Sequence, residues 1–359
     1  MGLDDVAWEP AEKISDNWLA QFLELDILRP IADFILTHNR GNATELPYSK
    51  RDATVVRFSQ PGAVLFPEEK VMNEVAVMRF LADQTSIPIP FVLHSVTKKE
   101  NEDVRRSQHA RVSERGTGFL HPNINEDKIE MLYSQLAAPS VSRIGSLSQM
   151  DDFTWEVTRR QLSMNMKELV RLGGLPRSKL PDTDTTYNTT SSYFEVLADL
   201  NIEHLVPQRN DAVESADDCR RKFVARQRLT NPSLENGPFG IWCDDLRPAN
   251  VLLNENMQIV GVVDWEFTYP APAGFTYAPP WWLLIEKPEY RLKTFLRAME
   301  ACEDIAIQQG RLKEDQRLSG PMQRSRECGD FWIMYAVSHS FAFDAIYSQK
   351  IDPRLFGPH

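Results

Sequence analysis

Residues 240–267, GIWCDDLRPANVLLNENMQIVGVVDWEF, constrain the fold of this chain more than any other stretch. Two short apolar runs, at Val251–Leu253 and at residues 259–263, are typical of buried strands. The polar residues between them are typical of a turn. We therefore predict a β-hairpin in the last third of the chain.

Three side chains with oxygen acceptors stand at the ends of these strands. Asp245 and Asn250 come just before the first strand, and Asp264 directly follows the second. A hairpin brings all of them to one edge of a sheet. Carboxylate and amide oxygens suit Mg²⁺, which takes one or two protein carboxylates and keeps several waters. This edge is therefore a candidate phosphoryl-transfer site.

The composition narrows the class of protein. A length of 359 residues fits two domains or one large domain divided into lobes. A formal net charge of −11 argues against a nucleic-acid partner, because such proteins normally carry a basic face. The four cysteines form no CxxC pair, and the apolar segment 331–347 is too short and polar to span a bilayer. We expect a cytoplasmic protein without a membrane partner, and the oligomeric state stays open.

The remaining periodicities divide the chain into two parts. They predict a strand at 54–58, a helix from Pro67 to about residue 83, a polar loop without a buried strand over 95–118, and helices at 189–205, 291–309 and 326–348. A strand-containing first part followed by a helical remainder predicts an α+β fold with two lobes. We place the smaller lobe at 1–118 and the larger helical lobe at 119–359.

The spacing of the acceptor residues also matches a known catalytic pattern. Asp245 precedes Asn250 by five positions, as in the D-x-x-x-x-N segment of kinase catalytic loops. Phosphoryl transfer needs a carboxylate for the attacking hydroxyl, Mg²⁺ on the phosphates and a cation beside them. Arg57 on a strand and Glu74 on the following helix would supply the expected ion pair, with Arg in place of the usual Lys.

Several motifs together resemble one family, the aminoglycoside phosphotransferase (phosphotransferase enzyme) family, whose fold is protein-kinase-like. The resemblance is closest to its filamentous-fungal branch. The motifs are CDDLRPANVLL at 243–253, IVGVVDWEFTY at 259–269, APPWWLLIEKPE at 278–289, FPEEKVMNEVAVMRFL at 66–81 and TSIPIPFVLH at 85–94.

The resemblance implies a role for each matching residue. Asp245 would be catalytic, and Asn250 and Asp264 would bind Mg²⁺. Arg57 would contact the phosphates of ATP, with Glu74 as its partner. The implied function is an ATP- and Mg²⁺-dependent phosphotransferase acting on a hydroxyl of a small-molecule substrate.

The sequence also departs from the family pattern. The usual H-G-D reads Cys243-Asp244-Asp245, residues 40–52 hold a single glycine where a glycine-rich hairpin is expected, and 95–118 lack an apolar hinge strand. The first lobe is therefore predicted to be incomplete. A non-catalytic, pseudokinase-type binding or scaffold protein is the alternative function, and a shortened gene product that folds poorly is a third.

Other residues near the motif have ordinary structural interpretations. We interpret Asp244 as a solvated loop carboxylate rather than a further acid near the metal. Arg247 could contact a phosphate or pair with an acid such as Glu266. Trp281 and Trp282 could wall a substrate pocket, but a packed aromatic cluster is the better prediction.

Overall fold

The computed structural model describes residues 4–38, 54–61, 64–96, 109–113, 119–120, 129–171, 174–205, 235–284, 288–351 and 353. The predicted absence of a glycine-rich hairpin at 40–52 lies outside these residues. The helices are α1 (Asp4–Phe22), α2 (Leu25–His38), α3 (Pro67–Gln84), α4 (Glu130–Ala137), α5 (Met164–Arg171), α6 (Thr190–Leu205), α7 (Ala273–Thr276), α8 (Pro288–Gln308), α9 (Ser319–Cys328), α10 (Asp330–Ser338) and α11 (Phe343–Ile346).

The strands form small antiparallel sheets. They are β1 (Thr54–Phe58), β2 (Phe91–Val96), β3 (His109–Ser113), β4 (Phe119–Leu120), β5 (Ser140–Val141), β6 (Ser146–Gln149), β7 (Trp155–Arg159), β8 (Phe239–Cys243), β9 (Val251–Leu253), β10 (Ile259–Val262) and β11 (Thr268–Ala271).

The first sheet has the order β1-β3-β2 and confirms the predicted strand at 54–58. Its central strand, β3, contradicts the prediction that 95–118 form a loop. Arg57 of β1 and Ser95 of β2 both pair with Ala110. The sequence of β3, HARVS, is polar, so its strand conformation comes from backbone pairing on both sides rather than from a hydrophobic pattern.

Helix α3 confirms the predicted helix and packs beneath this sheet. It begins with Pro67, which has no N–H to leave unpaired, and carries acids in its first turn. Its buried face includes Val71, Met78 and Leu81. Arg160 fixes its first turn, because Nε and Nη2 bind the two carboxylate oxygens of Glu69 at 2.9 and 2.7 Å.

The predicted hairpin is present as β9 and β10. Val251 pairs with Val262, and all of β9 is buried. The side-chain oxygen of Asn254 accepts hydrogen bonds from the backbone N–H groups of Asn256 and Gln258 at 3.0 and 2.9 Å, which closes the turn. One apolar cluster joins this hairpin to α3 and α4. The hydrophobic core therefore fixes the position of the hairpin, which carries Asn250 and Asp264 at its ends.

The larger part of the chain is mainly helical. Helices α6 and α8 confirm the predictions at 189–205 and 291–309. The prediction of a single helix at 326–348 is wrong. Helix α9 ends before Gly329, whose φ of 98° is left-handed, and α10 begins directly after it. The fold is the two-lobed α+β arrangement that the sequence predicts, while the boundary after residue 118 stays a prediction.

Candidate active site

Two neighbouring segments form the centre of the candidate site. We call residues 244–250, between β8 and β9, the Asp245 loop, and residues 264–268, after β10, the Asp264 turn. The N–H of Val263 donates to the carbonyl of Asn250 at 3.0 Å, and the N–H of Asp244 donates to the carbonyl of Phe267 at 3.0 Å. These bonds hold the two segments side by side.

Asn250 is buried at the end of the Asp245 loop. Its Nδ2 donates to the carbonyl oxygen of Asp245 at 2.7 Å and to its Oδ2 at 3.2 Å. The amide nitrogen is therefore committed to the loop, and the atom of this side chain suited to a cation is Oδ1.

Asp264 begins its turn in the left-handed region, with φ of 63° and ψ of 51°. Few residues other than glycine adopt this conformation, although Asp tolerates it better than most. The conformation lets the chain leave β10 abruptly and enter the short helical turn Trp265–Phe267. Asp264 therefore stands at a sharp corner beside Asn250.

Arg57 joins the first sheet to this corner. Its Nη1 contacts Glu74 Oε1 at 2.6 Å, and its Nη2 contacts Asp264 Oδ1. Burial alone would lower the pKa of Arg57, but the carboxylates of Glu74 and Asp264 outweigh it and raise the pKa. Burial raises the pKa of Glu74 despite the charge of Arg57. The ion pair predicted between Arg57 and Glu74 is confirmed as a contact.

The pKa of Asp245 is raised, chiefly because burial disfavours its charged form and further because Asp264 is close. Arg247 and Asn250 oppose this shift. Arg247 Nε lies 3.0 Å from Asp245 Oδ1. Arg247 thus pairs with Asp245 rather than with Glu266.

Asp244 is not the solvated carboxylate that we predicted. Trp242 Nε1 and the Tyr269 hydroxyl donate to its Oδ1 at 2.8 and 3.2 Å, and the N–H of Met164 donates to Oδ2 at 2.8 Å. Burial raises the pKa of Asp244 to about 6 against these three donors. The sequence missed this role because each donor comes from a different element.

The tryptophans support the Asp245 loop, as predicted for a packed cluster. Trp281 Nε1 donates to the carbonyl of Asp244 at 3.1 Å, and Trp282 Nε1 donates to the carbonyl of Leu246 at 3.1 Å. The hydroxyl of Tyr133 donates to the same carbonyl at 2.8 Å. These bonds hold the backbone of the loop at Asp244 and Leu246.

The space beside Asp244 is narrow. A recess of about 20 Å³ lies there, room for about one water. Aromatic and imidazole rings dominate its lining, which includes Trp242, Phe275, Trp281, Phe331, Tyr335 and His339. A much larger cavity, about 1070 Å³, lies between α8 and α9, and Asp245 does not line it.

The donor set at the corner fits Mg²⁺. The described residues contain no group of three or more His, Cys, Asp or Glu side chains placed to hold a metal ion. Mg²⁺ needs fewer protein ligands, because phosphates and waters complete its shell. Asn250 Oδ1 and the carboxylate of Asp264, whose side chain is 35% exposed, would be such ligands.

Several solved structures are similar to this chain. Structures similar to this chain include a macrolide 2'-phosphotransferase type I, at 14% identity and a TM-score of 0.43, covering 91% of this chain and 98% of that one. The GDP and kanamycin complex of APH(2")-IIia has 14% identity and a TM-score of 0.39, covering 91% and 96%. The AMP-bound spectinomycin phosphotransferase APH(9)-Ia has 13% identity and a TM-score of 0.39, covering 92% and 95%.

Sequence comparison identifies the family. No curated protein matches the chain significantly. Within the part of the chain that the structure describes, every helix is too short or too polar to cross a membrane.

The family model described as "Phosphotransferase enzyme family" matches residues 44–292, well over half of the chain and including the whole candidate site. The chain belongs to this phosphotransferase enzyme family, whose two-lobed fold is protein-kinase-like.

Proposed function

We propose that the chain transfers the γ-phosphoryl group of ATP to a hydroxyl of a small molecule, with Mg²⁺ as cofactor. The observation that carries this proposal is the meeting of Asp245, Asn250 and Asp264 beside the Arg57–Glu74 pair. Phosphoryl transfer needs little covalent chemistry from the protein beyond positioning, charge neutralisation and a carboxylate for the acceptor. Membership of a phosphotransferase family supports the same reaction class.

Asp245 is the proposed base. Its carboxylate takes the proton of the acceptor hydroxyl while that oxygen bonds to the γ-phosphorus, and the bond from phosphorus to the bridging oxygen breaks to leave ADP. Burial raises the pKa of Asp245. A raised pKa brings a carboxylate closer to the operating pH, where a general base is most effective.

Asn250 and Asp264 are the proposed Mg²⁺ ligands, and the cation when bound would neutralise charge on the β- and γ-phosphates. Arg57 supplies the proposed phosphate contact. Its two terminal nitrogens act separately, Nη1 on Glu74 and Nη2 on Asp264. Nη2 can therefore turn to a phosphate oxygen while Glu74 continues to hold the guanidinium.

The test is Asp245→Asn, which keeps the shape of the side chain and removes the base. Radiolabelled ATP is offered with a panel of hydroxylated small molecules that includes amino sugars and macrolides. We expect label transfer to fall by about a hundredfold or more. Asp315→Asn, at an exposed position in a distant turn, is the control and should transfer label at the wild-type rate. An unchanged rate in Asp245→Asn would contradict the proposal.

A non-catalytic binding or scaffold protein is the second candidate. Two features favour it: Cys243 stands where the resemblance implies a histidine, and Arg57 contacts the carboxylate proposed to hold the metal. Thermal unfolding with and without Mg²⁺-ATP separates the candidates. A nucleotide at about 100 times its Kd stabilises a protein by about 2.7 kcal/mol. A melting temperature that Mg²⁺-ATP does not change would favour the binding protein.

A further inference from the structure

A buried amide connects helix α3 to the Asp264 turn. Asn73 is 1% exposed. Its Nδ2 donates to the carbonyl of Glu266 at 2.9 Å and to the carbonyl of Thr268 at 3.0 Å. These carbonyls lie on both sides of Phe267. One side chain thus holds the turn at two points, immediately after Asp264.

The orientation of this amide is fixed by its partners. Both are carbonyl oxygens, so only the NH₂ end of Asn73 can face them. Its Oδ1 is buried without a hydrogen-bond partner among the described residues. A buried unpaired acceptor costs stability, and an apolar residue on this buried face of α3 would avoid that cost. Asn73 is therefore better explained by its two bonds to the turn than by packing.

The same helix makes a second contact with the turn. Lys70 Nζ lies 2.6 Å from Glu266 Oε2, one helical turn before Asn73. On the far side, Phe267 accepts a hydrogen bond from the N–H of Asp244. The turn is thus fixed between α3 and the Asp245 loop, and Asn73 contributes the buried part of its attachment to α3.

We propose that Asn73 is a positioning residue, which holds Asp264 in its left-handed conformation beside Asn250 and so sets the affinity of the site for a divalent cation. This inference rests on the proposed function, since it assumes that Asp264 is a metal ligand. Without Asn73 the carbonyls of Glu266 and Thr268 lose this donor and the turn relaxes, so the carboxylate of Asp264 is no longer held in a fixed direction.

The test compares cation binding in matched variants. Asn73→Leu removes both hydrogen bonds and keeps the branching of the side chain, and Asn73→Ser keeps one hydroxyl donor. Asn201→Leu is the control, because Asn201 is equally buried and donates from Nδ2 to the carbonyl of Leu197 within α6. Binding of Mn²⁺ is measured by electron paramagnetic resonance in the presence of a non-hydrolysable ATP analogue. Hydrogen exchange of peptides covering the Asp264 turn is measured in parallel without ligand.

We expect Asn73→Leu to weaken Mn²⁺ binding by about 10- to 100-fold, as is usual when a group that orients a metal ligand is lost. Asn73→Ser should lie between this variant and the wild type. Exchange in the turn should rise in both variants. Asn201→Leu should lower the melting temperature without changing either measurement.

Two outcomes separate this inference from the proposed function. If the wild type binds Mn²⁺ with the analogue and Asn73→Leu binds it equally well, the positioning role is overturned. If the wild type binds no Mn²⁺ with the analogue, the proposed function fails instead. In that case exchange still decides whether Asn73 fixes the turn, and unchanged exchange in a folded Asn73→Leu or Asn73→Ser variant would overturn the inference.

Discussion

The Asp245 loop and the Asp264 turn lie side by side, but they are held in different ways. The backbone of the loop accepts hydrogen bonds from neutral donors, namely the indole N–H groups of Trp281 and Trp282 and the hydroxyl of Tyr133. Trp282 and Tyr133 are buried. Hydrogen bonds between neutral buried groups respond little to salt or to pH.

The Asp264 turn is held by the buried amide of Asn73 and, unlike the loop, also by charged side chains of β1 and α3. Lys70 of α3 contacts Glu266, and Arg57 of β1 contacts Asp264. All of these side chains are partly exposed. The difference implies a rigid Asp245 loop and an Asp264 turn whose position depends on the placement of α3 and on ionic strength.

The largest effect is expected on the loop side. Trp282→Ala removes a buried ring that packs edge-on against Phe295, with ring centroids 6.1 Å apart, and removes a donor to Leu246. We expect the free energy of unfolding to fall by about 3–5 kcal/mol, as for other buried aromatic truncations. Denaturant unfolding followed by circular dichroism measures it.

Trp282→Phe is the matched control, because it keeps most of the ring and removes the N–H. A loss of about 1–2 kcal/mol would match one missing hydrogen bond to a buried carbonyl that keeps Tyr133 as a second donor. If Trp282→Ala lowers the free energy of unfolding no more than Trp282→Phe, the packing of the ring does not stabilise the Asp245 loop. Our account of how the loop is held would then be wrong.

The contrast also explains which features the sequence predicts. The hairpin follows from two apolar runs around a polar turn, and Asp245, Asn250 and Asp264 follow from their positions at the strand ends. All of this information is local. Strand β3 could not be predicted in this way, since its polar residues become a strand only through pairing with β1 and β2.

The residues that support the site were also missed. Asp244 gathers donors from β8, α5 and β11, and no spacing in the sequence brings these together. Asn73 offered a weak signal, because it is a polar residue in phase with the buried positions Val77 and Phe80 of α3. A buried asparagine on an apolar helix face needs a distant partner, but only the structure identifies the turn as that partner.

The next effect concerns Asp244, a carboxyl group of the Asp245 loop that should make the stability of this side depend on pH. The pKa of Asp244 is raised by burial from its ordinary 3.8 to about 6. The protonated form therefore adds stability that is complete below pH 3.8 and is lost as pH rises through about 6. We expect the wild type to lose about 2 kcal/mol across this window for this group alone, after allowance for partial exposure.

Asp244→Asn provides the comparison, because its amide oxygen can still accept from Trp242 and Tyr269 but does not titrate. Unfolding free energies of the two proteins are measured at intervals from pH 4 to pH 7. The wild type should lose stability relative to Asp244→Asn as pH rises. If the unfolding free energies of the two proteins change with pH in parallel, Asp244 stays ionised throughout. The pH-sensitive groups would then lie in the Asp264 turn alone.

The smallest effect on stability is expected from Lys70→Met, and its dependence on salt distinguishes the Asp264 turn from the Asp245 loop. Lys70→Met keeps the length of the side chain and removes its charge from the contact with Glu266, whose side chain is 19% exposed. We expect a loss of about 0.5–1 kcal/mol at low salt, as for partly exposed ion pairs. The screening length falls from about 10 Å at 0.1 M salt to about 3 Å at 1 M. The difference between wild type and Lys70→Met should therefore shrink in 1 M NaCl, whereas that between wild type and Trp282→Phe should not. A Lys70→Met deficit that persists at 1 M would show that the stem of Lys70 supports the turn by packing, and the turn would then be held like the loop.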